Sequence, residues 1–306
     1  MWCPVPLSWF WCVAALVLAG CGGAPLASRP PPASAADFAR WTCAQVQDEQ
    51  DLVQRKAIGV AHRPDSPAGD GMLNLASGLS VYWPALLAMR PAGMEARDLG
   101  RLKLRFDALG DAAAEKACGP VAPPAAASLR QAGDRLVYES RSSTRGPTTE
   151  LALRATASGA GRVSYVENET GRADATAAPG TWTFDSAGNL SAAPTGSLWW
   201  PALLRSALTL GQVTAGDILV AGDPQARARL RGQIVAVGEQ NVAGQRFDAA
   251  VVELFGDAPS GDAYTRVEGV LVVDRAQGTL VRLELYSAHA AFNVHRRLLR
   301  VELAPR

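Results

Sequence analysis

The sequence lacks a charge excess of either sign: among 306 residues, 30 Lys and Arg stand against 29 Asp and Glu, a formal net charge of +1. No global field draws a polyanion, so a DNA- or RNA-binding role has no electrostatic support. Lysine is scarce, confined to Lys56, Lys103 and Lys116. Histidine is equally scarce, and His62, His289 and His295 are too few and too badly spaced for a metal site. On one strand His289 and His295 would stand about 20 Å apart, at ~3.3 Å per residue. There is no G-x-S-x-G elbow for a serine nucleophile and no glycine-rich loop leading from a strand into a helix to cradle a nucleotide phosphate. Asp274 precedes a glycine-containing turn and reads as a turn residue rather than an acid catalyst. The expectation is a non-catalytic chain with no metal and no cofactor.

Long uncharged runs are few. Residues 7–20, LSWFWCVAALVLAG, carry no charge and have the length of a secretory hydrophobic region, too short to span a bilayer. Residues 1–11 contain no Lys or Arg, which leaves the terminal amine as the positive end. The run closes on Leu18-Ala19-Gly20-Cys21, which resembles the bacterial lipobox. The resemblance implies a signal peptide over 1–20, cleavage before Cys21 and lipid on that thiol, which replaces a spanning anchor. Gly22, where an Asp would signal retention, implies in such lipoproteins passage to the outer membrane, on its periplasmic face. A second uncharged run, 71–89, reaches the lower edge of transmembrane length but contains Asn74, Gly78 and Pro84. It reads as a buried hairpin helix, with contact to the membrane as the alternative.

Cysteine is limited to five. Cys3 and Cys12 would leave with the signal and Cys21 would carry lipid, so the exported chain keeps Cys43 and Cys118. In an oxidising compartment two remaining thiols point to a disulfide, the alternative being two separate buried cysteines. Closing a loop of about 76 residues would contribute on the order of 4 kcal/mol in the chain-entropy model.

The rest of the chain divides by composition. Residues 21–36 are rich in Pro and Ala and form a tether, able to lift the body roughly 45 Å at ~3.1 Å per residue. Residues 37–118 are expected to form a small helical bundle. One helix starts near Asp37 as N-cap and runs to Val60; another runs from Met94 to Cys118 with Leu99, Leu102, Phe106, Leu109 and Ala113 on one face. Cys43 near the start of the first and Cys118 at the end of the second suit antiparallel neighbours. Residues 119–128, GPVAPPAAAS, read as a linker.

From 129 to 306 the apolar period changes to two. Strands are expected around 136–139, 151–154, 163–166, 182–184, 234–237, 247–254, 270–273, 280–285 and 294–303, several joined as hairpins. A helix is expected to interrupt them at 198–210, with Pro201 in its first turn. Its start, Trp199-Trp200-Pro201, echoes Tyr82-Trp83-Pro84. These aromatics suit a membrane interface or the mouth of an apolar cavity, or ordinary cores. Arg227, Arg229 and Arg231 alternate, so on a strand they share a face that can meet phosphate or simply solvent.

The hairpin sequences Gly238 to Ala249 and Glu268 to Arg282 resemble those of periplasmic half-barrel proteins, a group that includes the lipoprotein carriers LolA and LolB and related domains of unknown function. The resemblance covers 129–306 and implies a curved antiparallel sheet around an apolar hollow. The expected fold class is thus α+β, a small bundle followed by a half-barrel with one inserted helix. The expected function is that of a lipid-anchored periplasmic lipoprotein sheltering a lipid or other apolar ligand. The alternative is a scaffold or adaptor that meets an envelope protein partner through the bundle.

Overall fold

The computed structural model describes residues 33–61, 80–89, 94–119, 130–142, 146–167, 180–242, 245–261 and 263–305. The signal segment, Cys21, the tether up to residue 32, His62, residues 71–79 of the second uncharged run and residues 120–128 of the linker lie outside them. Helices and sheet belong to one compact unit, Ala33–Arg306, with a shared apolar core.

Among the described residues are three α-helices, α1 (Cys43–Ala61), α2 (Trp83–Met89) and α3 (Met94–Glu115), with the first strand of the sheet between α1 and α2. Helix α1 starts later than the sequence suggests, because Thr42 supplies the cap. The Gln45 N–H donates to the Thr42 hydroxyl at 3.3 Å and the Thr42 N–H to Gln45 Oε1 at 2.9 Å, a reciprocal capping box. Asp37 instead takes the Ser34 N–H at 2.8 Å, at the foot of a separate 3-10 turn, Ala35–Phe38. Helix α3 buries Leu99 and Leu109 as its periodicity predicts and stops where Ala117 turns to φ +51°, its last carbonyls met by the Cys118 N–H. Helices α1 and α3 run antiparallel, joined by Arg105 and Glu49 at 2.8 Å and by Cys43 and Cys118, whose sulfurs lie 2.10 Å apart.

The sheet has thirteen strands: β1 (Ser80–Val81), β2 (Arg135–Arg141), β3 (Thr149–Gly159), β4 (Arg162–Glu167), β5 (Thr181–Asp185), β6 (Leu190–Ala192), β7 (Leu198–Trp199), β8 (Val213–Val220), β9 (Asp223–Val242), β10 (Gln245–Ser260), β11 (Ala263–Asp274), β12 (Leu280–Ser287) and β13 (Val294–Glu302). Their order is β6-β5-β4-β3-β2-β13-β12-β11-β10-β9-β8-β7, antiparallel throughout, with β1 beside β9. Register shifts at Ala155/Ala157, Val251/Val252, Val272/Val273 and Leu298/Arg300 add twist and curl the sheet. One row of side chains, including Trp182, Tyr165, Leu153, Leu136, Leu283, Leu271, Val252 and Ile234, faces inward and is buried.

Two expectations are corrected here. The sheet is a nearly closed barrel rather than a half-barrel: the Trp200 N–H donates to the Leu190 carbonyl at 3.1 Å, bridging its two ends. The 198–210 segment is not a helix but a short strand followed by turns. Its helical periodicity loses to tertiary pairing, since Leu198 and Trp199 ladder against Val220 and Leu219. In the second uncharged run, Ser80 and Val81 likewise pair with Val237 and Ala236 as a strand before α2 begins.

Candidate functional site

The seam between β6 and β7 decides what the barrel can hold. Asp185 Oδ1 accepts the Ala187 and Asn189 N–H groups at 2.9 and 2.8 Å, which shapes a tight β5–β6 turn and points Asn189 inward. Asn189 then acts as a surrogate strand: its Nδ2 donates to the Leu204 carbonyl at 3.0 Å, and its Oδ1 accepts the Leu204 N–H at 2.7 Å. Trp200 Nε1 donates to the Gly188 carbonyl at 2.9 Å, and the Thr214 hydroxyl donates to the Leu203 carbonyl. Gly216 permits the closest approach, because a Cβ there would stand 2.8 Å from Leu203 Cα. Trp200, Leu203, Leu204 and Leu208 are buried as a result and plug the interior beside β8 and β9. At ~1.5 to 3 kcal/mol per buried large side chain, this apolar plug holds the seam shut.

The outer side of the same wall is open. Arg227, Arg229 and Arg231 alternate with buried Ala228 and Leu230 on β9, so all three face solvent. Across the ladder Arg231 stands beside Phe255 and Arg229 beside Asp257, while Pro259 pairs with Tyr264. Together they line a groove of about 740 Å³. Phe255 is 49% exposed and Tyr264 77%. Arg227 is held by Asp217 at 2.7 Å, Arg229 reaches the same carboxylate at 4.0 Å, and Arg231 has no ion pair among the described residues. A second groove of about 520 Å³ runs along the seam past Trp199, Val220 and Asp223 and shares Arg227 with the first. The sequence signals the arginine face but not Phe255 or Tyr264. A period-two reading carried past Leu254 turns Phe255 outward, but only the strand register puts Phe255 and Tyr264 beside the arginines.

The four predicted aromatics do not share a site. Trp199 lines the seam groove and Trp200 belongs to the plug. Trp83 opens α2, buried against Phe106 with ring centroids 5.4 Å apart. Tyr82 donates its backbone N–H to Val235 at 2.8 Å, and its ring covers Gly211, which holds φ +79° and has no room for a Cβ.

His289 and His295 do not lie on one strand, since a 3-10 turn, Ala290–Phe292, separates them. His289 leans on Phe292 and His295 on Tyr286, at 5.1 and 4.7 Å between centroids. Burial lowers the His295 pKa, opposed by the neighbouring Glu284 carboxylate. Glu284 is bound by Arg282 at 2.5 Å and by the Tyr286 hydroxyl at 3.1 Å, while Arg282 Nε and Nη1 and His295 Nε2 are buried without a hydrogen-bond partner. Asp274 ends β11 in a turn as expected, with its backbone N–H and carbonyl bonded to Thr279 and Gly278. Burial pushes its carboxyl up to about 6, opposed by the Ala276 N–H and by Arg130. Among the described residues no cluster of three His, Cys, Asp or Glu side chains is placed to hold a metal, and no helix is long and apolar enough to cross a membrane.

No protein-family model and no curated protein matches the chain. Solved structures with a partly similar backbone include a Bacteroides fragilis protein described as exported with a YmcC-like fold, at 13% identity and TM-score 0.34 over 57% of this chain and 97% of that one. They include the hypothetical lipoprotein YmcC from Escherichia coli, at 12% and 0.34 over 56% and 85%. A third, described as a lipoprotein of Parabacteroides distasonis, gives 12% and 0.35 over 57% and 97%. At these identities and TM-scores the likeness is confined to part of the backbone course and assigns no activity.

Proposed function

We propose that the protein is a non-catalytic envelope lipoprotein, anchored by lipid on Cys21 at the periplasmic face of the outer membrane, whose barrel wall docks on an anionic lipid surface. The observation that carries this reading is the contrast between the two sides of one wall. Inside, Trp200, Leu203, Leu204 and Leu208 are buried and pack the seam into the apolar core. Outside, three arginines and two exposed aromatics line an open groove. Arginine stems cover apolar surface while their heads reach phosphates, and Tyr and Phe suit the head-group layer. Each basic residue near an anionic surface contributes ~1 kcal/mol, screened by salt. The Pro- and Ala-rich stretch 21–36, sixteen residues read as a tether, would let the wall reach the membrane that holds the anchor.

The test is photo-crosslinking in cells with a photoreactive phenylalanine at position 264. Docking on lipid predicts adducts with phospholipid, reduced when Arg227, Arg229 and Arg231 are changed to Gln. One dominant protein adduct would replace this reading with the adaptor. The adaptor reading draws on Leu52, Leu87 and Leu104, which helices α1, α2 and α3 leave 37%, 38% and 53% exposed.

A further inference from the structure

Two guanidinium groups are buried in the barrel with no ion pair among the described residues, although Glu167 acts on Arg296 and Asp274 on Arg130 from beyond ion-pair distance. Arg296 stands on the inward row of β13, opposite Leu283 and Ser140, and is 8% exposed. Its Nε has no hydrogen-bond partner, and among the described residues it forms no ion pair. Its Cζ lies 4.7 Å from the ring centroid of Trp182, which reaches it from β5, on the far side of β2, β3 and β4 in the sheet. Trp182 is 2% exposed, and its Nε1–H likewise has no acceptor. Arg130, 4% exposed, repeats the pattern: its Cζ lies 5.6 Å from the Phe247 centroid, and its Nε is unpartnered. Both cations act on Tyr138, whose hydroxyl is already committed to the Leu280 carbonyl at 2.9 Å.

A ring face offsets part of the desolvation of a guanidinium but accepts none of its in-plane N–H groups. Burial lowers the Arg296 pKa to about 10, so the group stays charged at neutral pH. Arg282, equally buried, also leaves its Nε and Nη1 unpartnered but has the Glu284 carboxylate on its Nη2, which Arg296 lacks. The Arg296 Nε–H and the Trp182 Nε1–H, both buried and unpartnered on stacked groups, call for an acceptor that carries negative charge.

We propose that Arg296 and Trp182 form an oxyanion-binding site inside the barrel, taking a carboxylate or phosphate group, with Arg130 as a second positive charge at the same interior. A free ion and the head group of an amphiphile share this chemistry. The site lies on the opposite side of the wall from the arginine groove and does not depend on it.

Thermal unfolding of the full-length protein, purified in a nonionic detergent, tests the site. Sodium phosphate, acetate and decanoate are titrated near neutral pH at constant ionic strength against chloride. The expected result is a saturable rise in Tm. Saturation by phosphate or acetate identifies a free oxyanion; saturation by decanoate alone identifies a head group whose chain adds apolar contact. Arg296→Gln should abolish the saturable rise. Trp182→Phe keeps the ring but removes the N–H, and should weaken half-saturation about tenfold. If Arg296→Gln does not fold, Trp182→Phe decides alone. No saturable rise with any of the three anions, or an unchanged half-saturation in the folded variants, overturns the proposal.

Discussion

Replacing Asn189 by Ala removes the side chain that stands in for a strand at the barrel seam. Three hydrogen bonds go with it: two to the Leu204 backbone, at 2.7 and 3.0 Å, and one to Asp185 at 3.0 Å. Asn189 is 4% exposed and Leu204 5%, so water cannot easily replace the lost partner. An unsatisfied buried donor or acceptor costs ~1 to 3 kcal/mol, and Leu204 would be left with one of each. The expected loss is therefore about 2 to 6 kcal/mol, a large share of the ~5 to 15 kcal/mol that holds a typical domain folded. Urea unfolding followed by tryptophan fluorescence measures it, and an unchanged slope with denaturant would show that the loss lies in the native state. Asn189→Asp keeps the acceptor for the Leu204 N–H but sets a carboxylate oxygen against the Leu204 carbonyl and Asp185, so it should be no better than Ala. A loss under about 0.5 kcal/mol for Asn189→Ala would mean that Leu204 is not held there, and the plugged seam would have to be abandoned.

Other perturbations probe separate parts of the structure. The Asp274 carboxyl, raised from 3.8 to about 6, binds its proton more tightly in the folded state, so its contribution is most favourable below pH 4 and is lost as pH rises through 6. Asp274→Asn should remove up to about 3 kcal/mol of that loss at neutral pH and change little near pH 3.5, read from urea midpoints across pH; equal midpoint shifts at both ends would refute the assignment. Gly216→Ala forces a Cβ to within 2.8 Å of Leu203 and should cost about 1 to 3 kcal/mol in the same assay, where a neutral outcome would show a looser plug. Thiol counting under denaturing conditions should find Cys43 and Cys118 oxidised, and changing both to Ala should cost about 2 to 5 kcal/mol; free thiols in protein prepared from the envelope would remove the staple.

The sequence made the sheet legible where apolar residues alternate and a turn signal separates two runs. The β5–β6, β9–β10 and β11–β12 hairpins lie where that pattern puts them. It did not show the first half of β9, because Arg227 to Leu230 reads as charged alternation without β-branched residues, although the alternation itself is what sends the arginines outward. It also misread Leu198 to Leu210. Leu198, Trp200 and Leu204 sit in a run that looks helical, but their partners are Val220, Leu190 and Asn189, which no local pattern connects to them. The closure of the barrel rests on that one segment, so a half-barrel was the natural reading without it. The arginine stripe was visible as chemistry, while its aromatic neighbours Phe255 and Tyr264 came into view only through the β9–β10–β11 register.

The central claim is that the outer wall, not the interior, is the membrane-facing surface, and fluorescence quenching in vesicles tests it directly. A Ser260→Cys variant, labelled at that exposed position with an environment-sensitive dye and carrying its lipid anchor, is reconstituted with head-group-quencher lipids. In mixed phosphatidylglycerol and phosphatidylcholine vesicles the account predicts quenching that high salt reverses. Changing Arg227, Arg229 and Arg231 to Gln should remove about 3 kcal/mol of attraction, ~1 kcal/mol for each, and most of the quenching with it. Equal quenching in vesicles of phosphatidylcholine alone, or none in either, would contradict the claim.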